Sequence, residues 1–181
     1  MTKSDFENKS LILIILVGYI LNLLLGWIGF FNTHGSGEQM MLFQIGSAFA
    51  ISACVMAARY VGLRGQQVAA SAYILLGITH GISLAALSRS GINLDREATM
   101  AMPMVPGLLF MFWCNLYPKW LRGLSIIPII LFTWIYINVQ SGESHLGWIL
   151  YSGYAALQII EVLWGIYLYK DWKQNAVQKQ N

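Results

Sequence analysis

Residues 11–31 read LILIILVGYILNLLLGWIGFF, an apolar stretch without a charged side chain. As a helix that rises about 1.5 Å per residue, this stretch is roughly 30 Å long, which matches the hydrocarbon core of a bilayer. It is too long for the apolar part of a cleaved signal peptide, and no small-residue cleavage site follows it. The stretch therefore predicts a transmembrane helix.

The composition of the whole chain also indicates a membrane protein. Of the 181 residues, 57% are hydrophobic and only 10% are charged, whereas about 25% of the residues in a soluble domain are charged. So few charges cannot cover the surface of a soluble domain, and so many apolar residues exclude a disordered chain. The net charge of +3 is too small for a protein that binds the phosphates of a nucleic acid.

Six apolar stretches are candidates to cross the membrane. Their approximate limits are 11–31, 40–58, 68–88, 98–117, 120–139 and 146–169. The fifth is long enough only if its helix starts at Trp120 and Arg122 extends its charge to the interface. We therefore predict an all-α integral membrane protein, a bundle of six transmembrane helices that forms a single polytopic domain over residues 1–181, with no soluble domain.

The basic residues predict the orientation of these spans. The N-terminus, the second and fourth connections and the C-terminal tail hold nine of the eleven: Lys3, Lys9, Arg59, Arg64, Lys119, Arg122, Lys170, Lys173 and Lys179. Alternating spans place all four segments on one side, and positively charged loops remain in the cytoplasm. Both termini are therefore predicted to be cytoplasmic, and the short connections favour the cytoplasmic (inner) membrane.

Small residues at four-residue spacing predict close contacts between helices. The second span carries Gly46, Ala50 and Cys54 on one face, and the third carries Gly77, Gly81 and Ala85. These faces are candidates for a tight helix pair within the chain. They are equally candidates for contact with a second copy of the chain or with a partner membrane protein.

Polar side chains within the spans are the candidates for function. Glu161 is foremost, because an acid inside a membrane is costly unless it is protonated or paired. Counted from the outer ends of the spans, the depth is roughly 12–14 Å for His80 and Asn22, ~18 Å for Gln158 and ~22 Å for Glu161 and Tyr73. We predict that these five residues form a polar path or proton relay. The alternative is that Glu161 and His80 only bond neighbouring helices.

A weaker set of candidates suits a metal at the outer rim. It consists of Met100 and Met104 with His34 and His145, and thioether and imidazole ligands suit Cu(I). Because methionine is a common filler of apolar helices, we predict no metal site. Cys54 and Cys114 lack a disulfide or metal spacing and are expected to be reduced thiols that pack as small apolar groups.

The sequence lacks the common catalytic motifs HExxH, P-loop and GxSxG, and it predicts no cofactor. The leading interpretation is a small carrier or channel with a protonatable path. One alternative is a non-catalytic membrane subunit that assembles through the small-residue faces. A weaker alternative is a lipid- or quinone-modifying enzyme that uses Glu161 and His80 as acid and base.

Overall fold

A computed structural model describes residues 3–90, 94–142 and 147–178, with side chains for 9–86, 96, 98–142 and 147–175. All regular structure within these ranges is helical, which confirms the prediction of an all-α protein. The described helices are α1 (Lys3–Phe31), α2 (Gly37–Leu63), α3 (Gln67–Ser90), α4 (Leu94–Ala101), α5 (Met104–Phe110), α6 (Lys119–Leu124), α7 (Ile126–Gln140) and α8 (Gly147–Gln178), and a 3-10 turn covers Met111–Trp113.

Five segments in the described part of the chain are long and apolar enough to cross a membrane. They are Lys9–Phe31, Gly37–Leu63, Gln67–Ala86, Lys119–Gln140 and Gly147–Asn175. Large apolar side chains on their outer faces are exposed, among them Ile14, Ile78 and Ile130. Such surfaces are stable in lipid and unstable in water, so the described helices have the length and the surface that a membrane protein requires.

The fourth predicted span, 98–117, is divided into two helices and a 3-10 turn, and its crossing of the membrane stays a prediction. Its apolar helical part is only Ala98–Trp113, and it is broken between α4 and α5. Pro103 lies at the break. It accounts for the interruption, because a proline has no N–H for the helix and its ring clashes with the preceding turn. Helical structure ends at Cys114, whose backbone is extended (φ −76°, ψ 103°).

The helices form a ring in chain order. In the described ranges α1 packs on α2, α2 on α3, α3 on α5, α5 on α7, and α7 on α8, which returns to α1. We call one end of this ring the aromatic end, where His34 lies beside Tyr151 near the start of α8. We call the other the basic end, where the backbone N–H of Asn115 donates to the side chain of Gln66.

A polar clamp joins α2 to α8 at the basic end. The hydroxyl of Tyr60 donates to Oδ2 of Asp171 at 2.7 Å, and Nη2 of Arg64 donates to Oδ1 at 2.9 Å. The hydrogen bond to Asp171 raises the pKa of the Arg64 guanidinium, which keeps its charge. Because Arg64 is partly exposed, the ion pair contributes no more than about 1 kcal/mol.

The small residues of α3 pack partly against α2. A Cβ atom at Gly77 would lie 3.3 Å from the Cβ of Cys54, so the predicted tight helix pair is formed here. Gly81 is only half-buried and Ala85 is exposed. Contact of these faces with a second copy or a partner protein stays a prediction. As expected, Cys54 and Cys114 are both buried free thiols.

The small residues of α2 pack against α1. A Cβ atom at Gly46 would lie 3.2 Å from Oδ1 of Asn22, and Ala50 is completely buried. The two helices also lie close together at Gly18, where a Cβ atom would lie 2.9 Å from the backbone oxygen of Phe49. Glycine is required at position 18, because a methyl group there would force the helices apart.

Gly18→Ala is expected to lower the free energy of unfolding by about 1–3 kcal/mol, the usual cost of overpacking. The matched control is Gly81→Ala, because a Cβ atom there meets only Ile51, at 4.0 Å. Replacing glycine by alanine within a helix is itself stabilising by up to about 1 kcal/mol. Unfolding by SDS titration in mixed micelles compares the two proteins. Equal unfolding midpoints would contradict the close packing of α1 on α2.

Candidate functional site: a buried carboxyl group at the inner end of a cleft

Glu161 on α8 is completely buried within the ring of helices, and both of its carboxyl oxygens are hydrogen-bonded. Nδ2 of Asn22 on α1 donates to Oε2 at 3.1 Å. Nε2 of His80 on α3 lies 3.1 Å from Oε1. Three helices therefore contribute to one polar cluster, which we call the Glu161 cluster.

The two contacts account for the burial of the Glu161 carboxyl group. A buried carboxyl group loses its hydration at a cost of several kcal/mol, and hydrogen bonds from protein donors must replace the lost water. The tautomer of His80 determines the contact with Oε1. An ionised carboxylate accepts from an Nε2–H group, whereas a protonated carboxyl donates to a bare Nε2. The geometry thus allows the proton on either atom, as proton transfer requires.

A cleft of about 330 Å³ leads from the aromatic end to the Glu161 cluster. Its inner wall contains the polar side chains of Asn22, Ser47, His80, Ser83 and Gln158. The rest of its lining, which we call the outer wall, is mainly aromatic, with Trp27, Phe30, Phe31, Phe43, Trp148, Tyr151 and Tyr154, and also includes Leu150, Ser152 and Ala155. The cleft falls in the size range of small-molecule sites, about 300–1,000 Å³. Glu161 itself is not among the lining residues. Asn22 and His80 line the cleft and are hydrogen-bonded to the carboxyl group of Glu161.

Gln158 joins the polar inner wall to α1. Its Nε2 donates to the backbone oxygen of Asn22 at 3.4 Å. Gly26 provides the space, since a side chain at that position would overlap the amide of Gln158. Four of the five residues of the predicted polar path therefore lie together: Glu161, Gln158, His80 and Asn22.

The fifth, Tyr73, belongs to a separate buried cluster. Its hydroxyl is hydrogen-bonded to that of Tyr117, and its ring meets Trp164 edge-on with centroids 5.7 Å apart. Tyr117 stacks on the same Trp164 ring at 6.1 Å. Trp164 follows Glu161 by one turn of α8 toward the basic end. These three rings, which we call the inner aromatic cluster, fill the interior beyond Glu161.

The described candidates for a metal site differ in their surroundings. His34 contacts the hydroxyl of Tyr151 through Nδ1 at 3.4 Å. Met104 is completely buried in the core, while Met100 is half-buried. His145 lies outside the described residues. Within the described ranges, no three His, Cys, Asp or Glu side chains are close enough together to hold a metal ion.

The serines and most of the rings of the cleft were missed by the sequence analysis. Ser83 follows His80 by three residues and so shares its helix face, a signal that points to it. Ser47 carries no such signal, because serine is common in membrane helices. Trp27 and Trp148 lie near the ends of spans, where aromatic residues occur whatever the function.

Comparison with models of protein families, with curated proteins and with solved structures finds no match to this chain. The site is therefore interpreted from its own chemistry. It consists of a carboxyl–imidazole pair between membrane-spanning helices, and the imidazole forms part of the wall of an aromatic cleft.

Removing both partners of the His80–Glu161 contact is expected to cost less stability than the sum of the single losses. His80→Ala and Glu161→Gln, studied singly and together by SDS unfolding, should show a coupling free energy of about 0.5–3 kcal/mol. The control combines Glu161→Gln with Tyr60→Phe, because Tyr60 bonds Asp171 at the basic end. These two distant changes should be additive within about 0.5 kcal/mol. A coupling for His80 no larger than this control would argue against the contact.

Proposed function

We propose that this chain is a small carrier or channel with six transmembrane spans, in which the cleft is the entrance and Glu161 with His80 binds and releases a proton. One observation carries the proposal. His80 forms part of the wall of the cleft and also contacts the buried carboxyl group of Glu161. A proton that enters through the cleft can therefore reach Glu161 through a single side chain.

The course of the chain supports six crossings. α3 starts beside Gln66 at the basic end and extends to Ser90, about 36 Å away at the rise of a helix. Asn115 is again hydrogen-bonded to Gln66. The chain is therefore back at the basic end by Asn115, which supports the broken helices α4 and α5 as the fourth crossing.

The charge distribution supports an orientation with both termini in the cytoplasm. The connections at the basic end carry Arg64, Lys119 and Arg122, and the end of α8 adds Lys170 and Lys173. By the positive-inside rule this end faces the cytoplasm. The protein would then lie in the cytoplasmic membrane with its cleft open to the opposite side.

Fusions to reporter enzymes test this topology. Alkaline phosphatase, which is active only outside the cytoplasm, is expected to be inactive after Gln66 and Tyr117 and active after Gly142. Green fluorescent protein after Gln178 is expected to be fluorescent. Activity of the phosphatase after Tyr117 would mean that the fourth segment does not cross the membrane, and would reduce the number of spans to five.

The closed side of the interior favours a carrier over an open channel. Beyond Glu161, the inner aromatic cluster of Tyr73, Tyr117 and Trp164 fills the ring, and all three side chains are buried. A carrier that opens to one side at a time has its binding site closed from the other. For transport to be completed, these three rings must rearrange so that the basic end gains access to Glu161.

Proton flux into vesicles tests the role of Glu161. The purified protein is reconstituted into liposomes with a pH-sensitive dye inside, and a potassium gradient with valinomycin drives protons inward. Wild type is expected to conduct protons above the level of protein-free vesicles. Glu161→Gln is expected to return to that level, because a carboxamide cannot carry a transferable proton.

Two further variants test the cleft as the entrance. Ser47→Phe fills the cleft and is expected to reduce the flux, whereas Ala48→Phe places the same ring on the exposed face one residue away and should leave the flux unchanged. Equal flux in these two variants would overturn the cleft as the entrance. Flux at the wild-type level in Glu161→Gln would overturn the role of the carboxyl group. Gel-filtration profiles verify that every variant is folded.

A further inference from the structure

The hydroxyl group of Ser83, in the wall of the cleft, lacks a hydrogen-bond partner among the described residues. Ser83 is only 5% exposed and lines the cleft, and its Oγ has no hydrogen-bond partner among the described residues. Buried polar atoms are almost always hydrogen-bonded in native proteins. An orphaned hydroxyl that faces a cavity therefore marks the position of a ligand atom that accepts or donates a hydrogen bond.

His80 provides a second group at the same place. It precedes Ser83 by one turn of α3, and both residues line the cleft. The imidazole uses Nε2 for Glu161, and Nδ1 is its second hydrogen-bonding atom. A single oxygen atom of a ligand placed between the two side chains can accept from the hydroxyl of Ser83 and interact with the imidazole.

The walls of the cleft favour an uncharged ligand. Among the described residues that line it, none is Lys, Arg, Asp or Glu. The nearby carboxyl group of Glu161 is not part of the wall, and its two oxygens are already bonded to Asn22 and His80. A charged ligand would lose its hydration without gaining a counter-charge, so it is disfavoured at this site.

The aromatic side chains favour a flat ring. Phe30 and Tyr151 meet edge to face with centroids 5.5 Å apart, and Tyr154 is held in the same way against Phe132 at 5.2 Å. Two rings of the outer wall, those of Tyr151 and Tyr154, are thus packed against neighbouring rings. Fixed aromatic faces and edges bind a flat ring better than a flexible chain, because ring pairs add to the burial of area.

We propose that the cleft binds an uncharged, lipid-soluble ring compound with a carbonyl oxygen, as in quinones, with the ring among the aromatic side chains and the oxygen at Ser83 and His80. The inference rests on the proposed function in taking the cleft as the entrance, and it names the class of the substrate. No chemical change of the ligand is part of it.

Three probes of similar size separate the possible occupants. Duroquinone is a flat ring with two carbonyl oxygens and no position open to attack by a thiol. Durene is the same methylated ring without the oxygens. Trimethylphenylammonium is a ring that carries a positive charge. Each is titrated into the purified full-length protein in detergent micelles, and the rise of the thermal unfolding midpoint gives its Kd by linkage.

Duroquinone is expected to raise the midpoint by about 5 °C or more at 100 times its Kd, with little effect of the other two probes. An equal effect of durene would mean that any apolar molecule, such as a lipid chain, fills the cleft, and would overturn the proposal. A larger effect of the cation would overturn the uncharged class. No shift with any probe would overturn the site itself.

Ser83→Ala tests the position of the oxygen. It is expected to raise the Kd of duroquinone about three- to tenfold, the loss of one neutral hydrogen bond. The midpoint of the ligand-free protein should not fall, because the removed hydroxyl has no partner in the part of the chain that the structure describes. The matched control is Ser71→Ala, since that hydroxyl is on the exposed face of α3 and donates to the backbone oxygen of Gln67. An unchanged Kd in Ser83→Ala would overturn the assignment.

The two proposals fail separately. Proton flux is measured without any quinone. A wild-type flux in Glu161→Gln would therefore contradict the proton path and leave the ligand proposal unaffected. Absence of duroquinone binding in a protein that conducts protons counts against the ligand class alone. Binding that is lost in Ser83→Ala but kept in Ser71→Ala supports the site whatever the result of the flux assay.

Discussion

The burial of a single carboxyl group determines how the ring of helices closes. Glu161 is inaccessible to solvent, so hydrogen-bonding partners must reach both of its oxygens, and Asn22 on α1 and His80 on α3 supply them. α8 must therefore approach α1 closely. Gly165 permits this approach, because a Cβ atom there would lie only 3.3 Å from the side chain of Leu16. The close packing at Gly165 and the hydrogen bonds of Glu161 thus both hold α8 against α1.

The interior is divided at Glu161 into two unlike halves. Toward the basic end it is filled by the inner aromatic cluster, and Asp171 joins α8 to α2 through Tyr60 and Arg64. Toward the aromatic end it contains the cleft of about 330 Å³. The tightly packed half holds the helices together, while the cleft leaves His80 in contact with open space toward the aromatic end. In the proposed function, a proton or ligand therefore approaches from that end.

The helices and four of the five polar residues could be predicted from the sequence, because a long apolar stretch and a rare buried acid are strong local signals. Their contacts could not be predicted. Asn22 and Glu161 are 139 positions apart, and depth along a span does not tell which helices are neighbours. Tyr73 shares a helix face with His80 but lies at a different depth along α3. Its hydroxyl is therefore bonded to Tyr117 and not to the Glu161 cluster. The sequence pattern pointed only weakly to Ser83, because its position in the wall of the cleft can be seen only in the structure.

The arrangement of the ring in chain order has a consequence for biosynthesis. Segments of a membrane protein leave the ribosome from the N-terminus onward, so each segment up to α7 finds the preceding one already present. α8 arrives last and brings the carboxyl group. Until then Asn22 and His80 lack the carboxyl group to which both are hydrogen-bonded in the complete ring. A nascent chain that stalls before α8 therefore has two polar side chains whose shared partner has not yet been made.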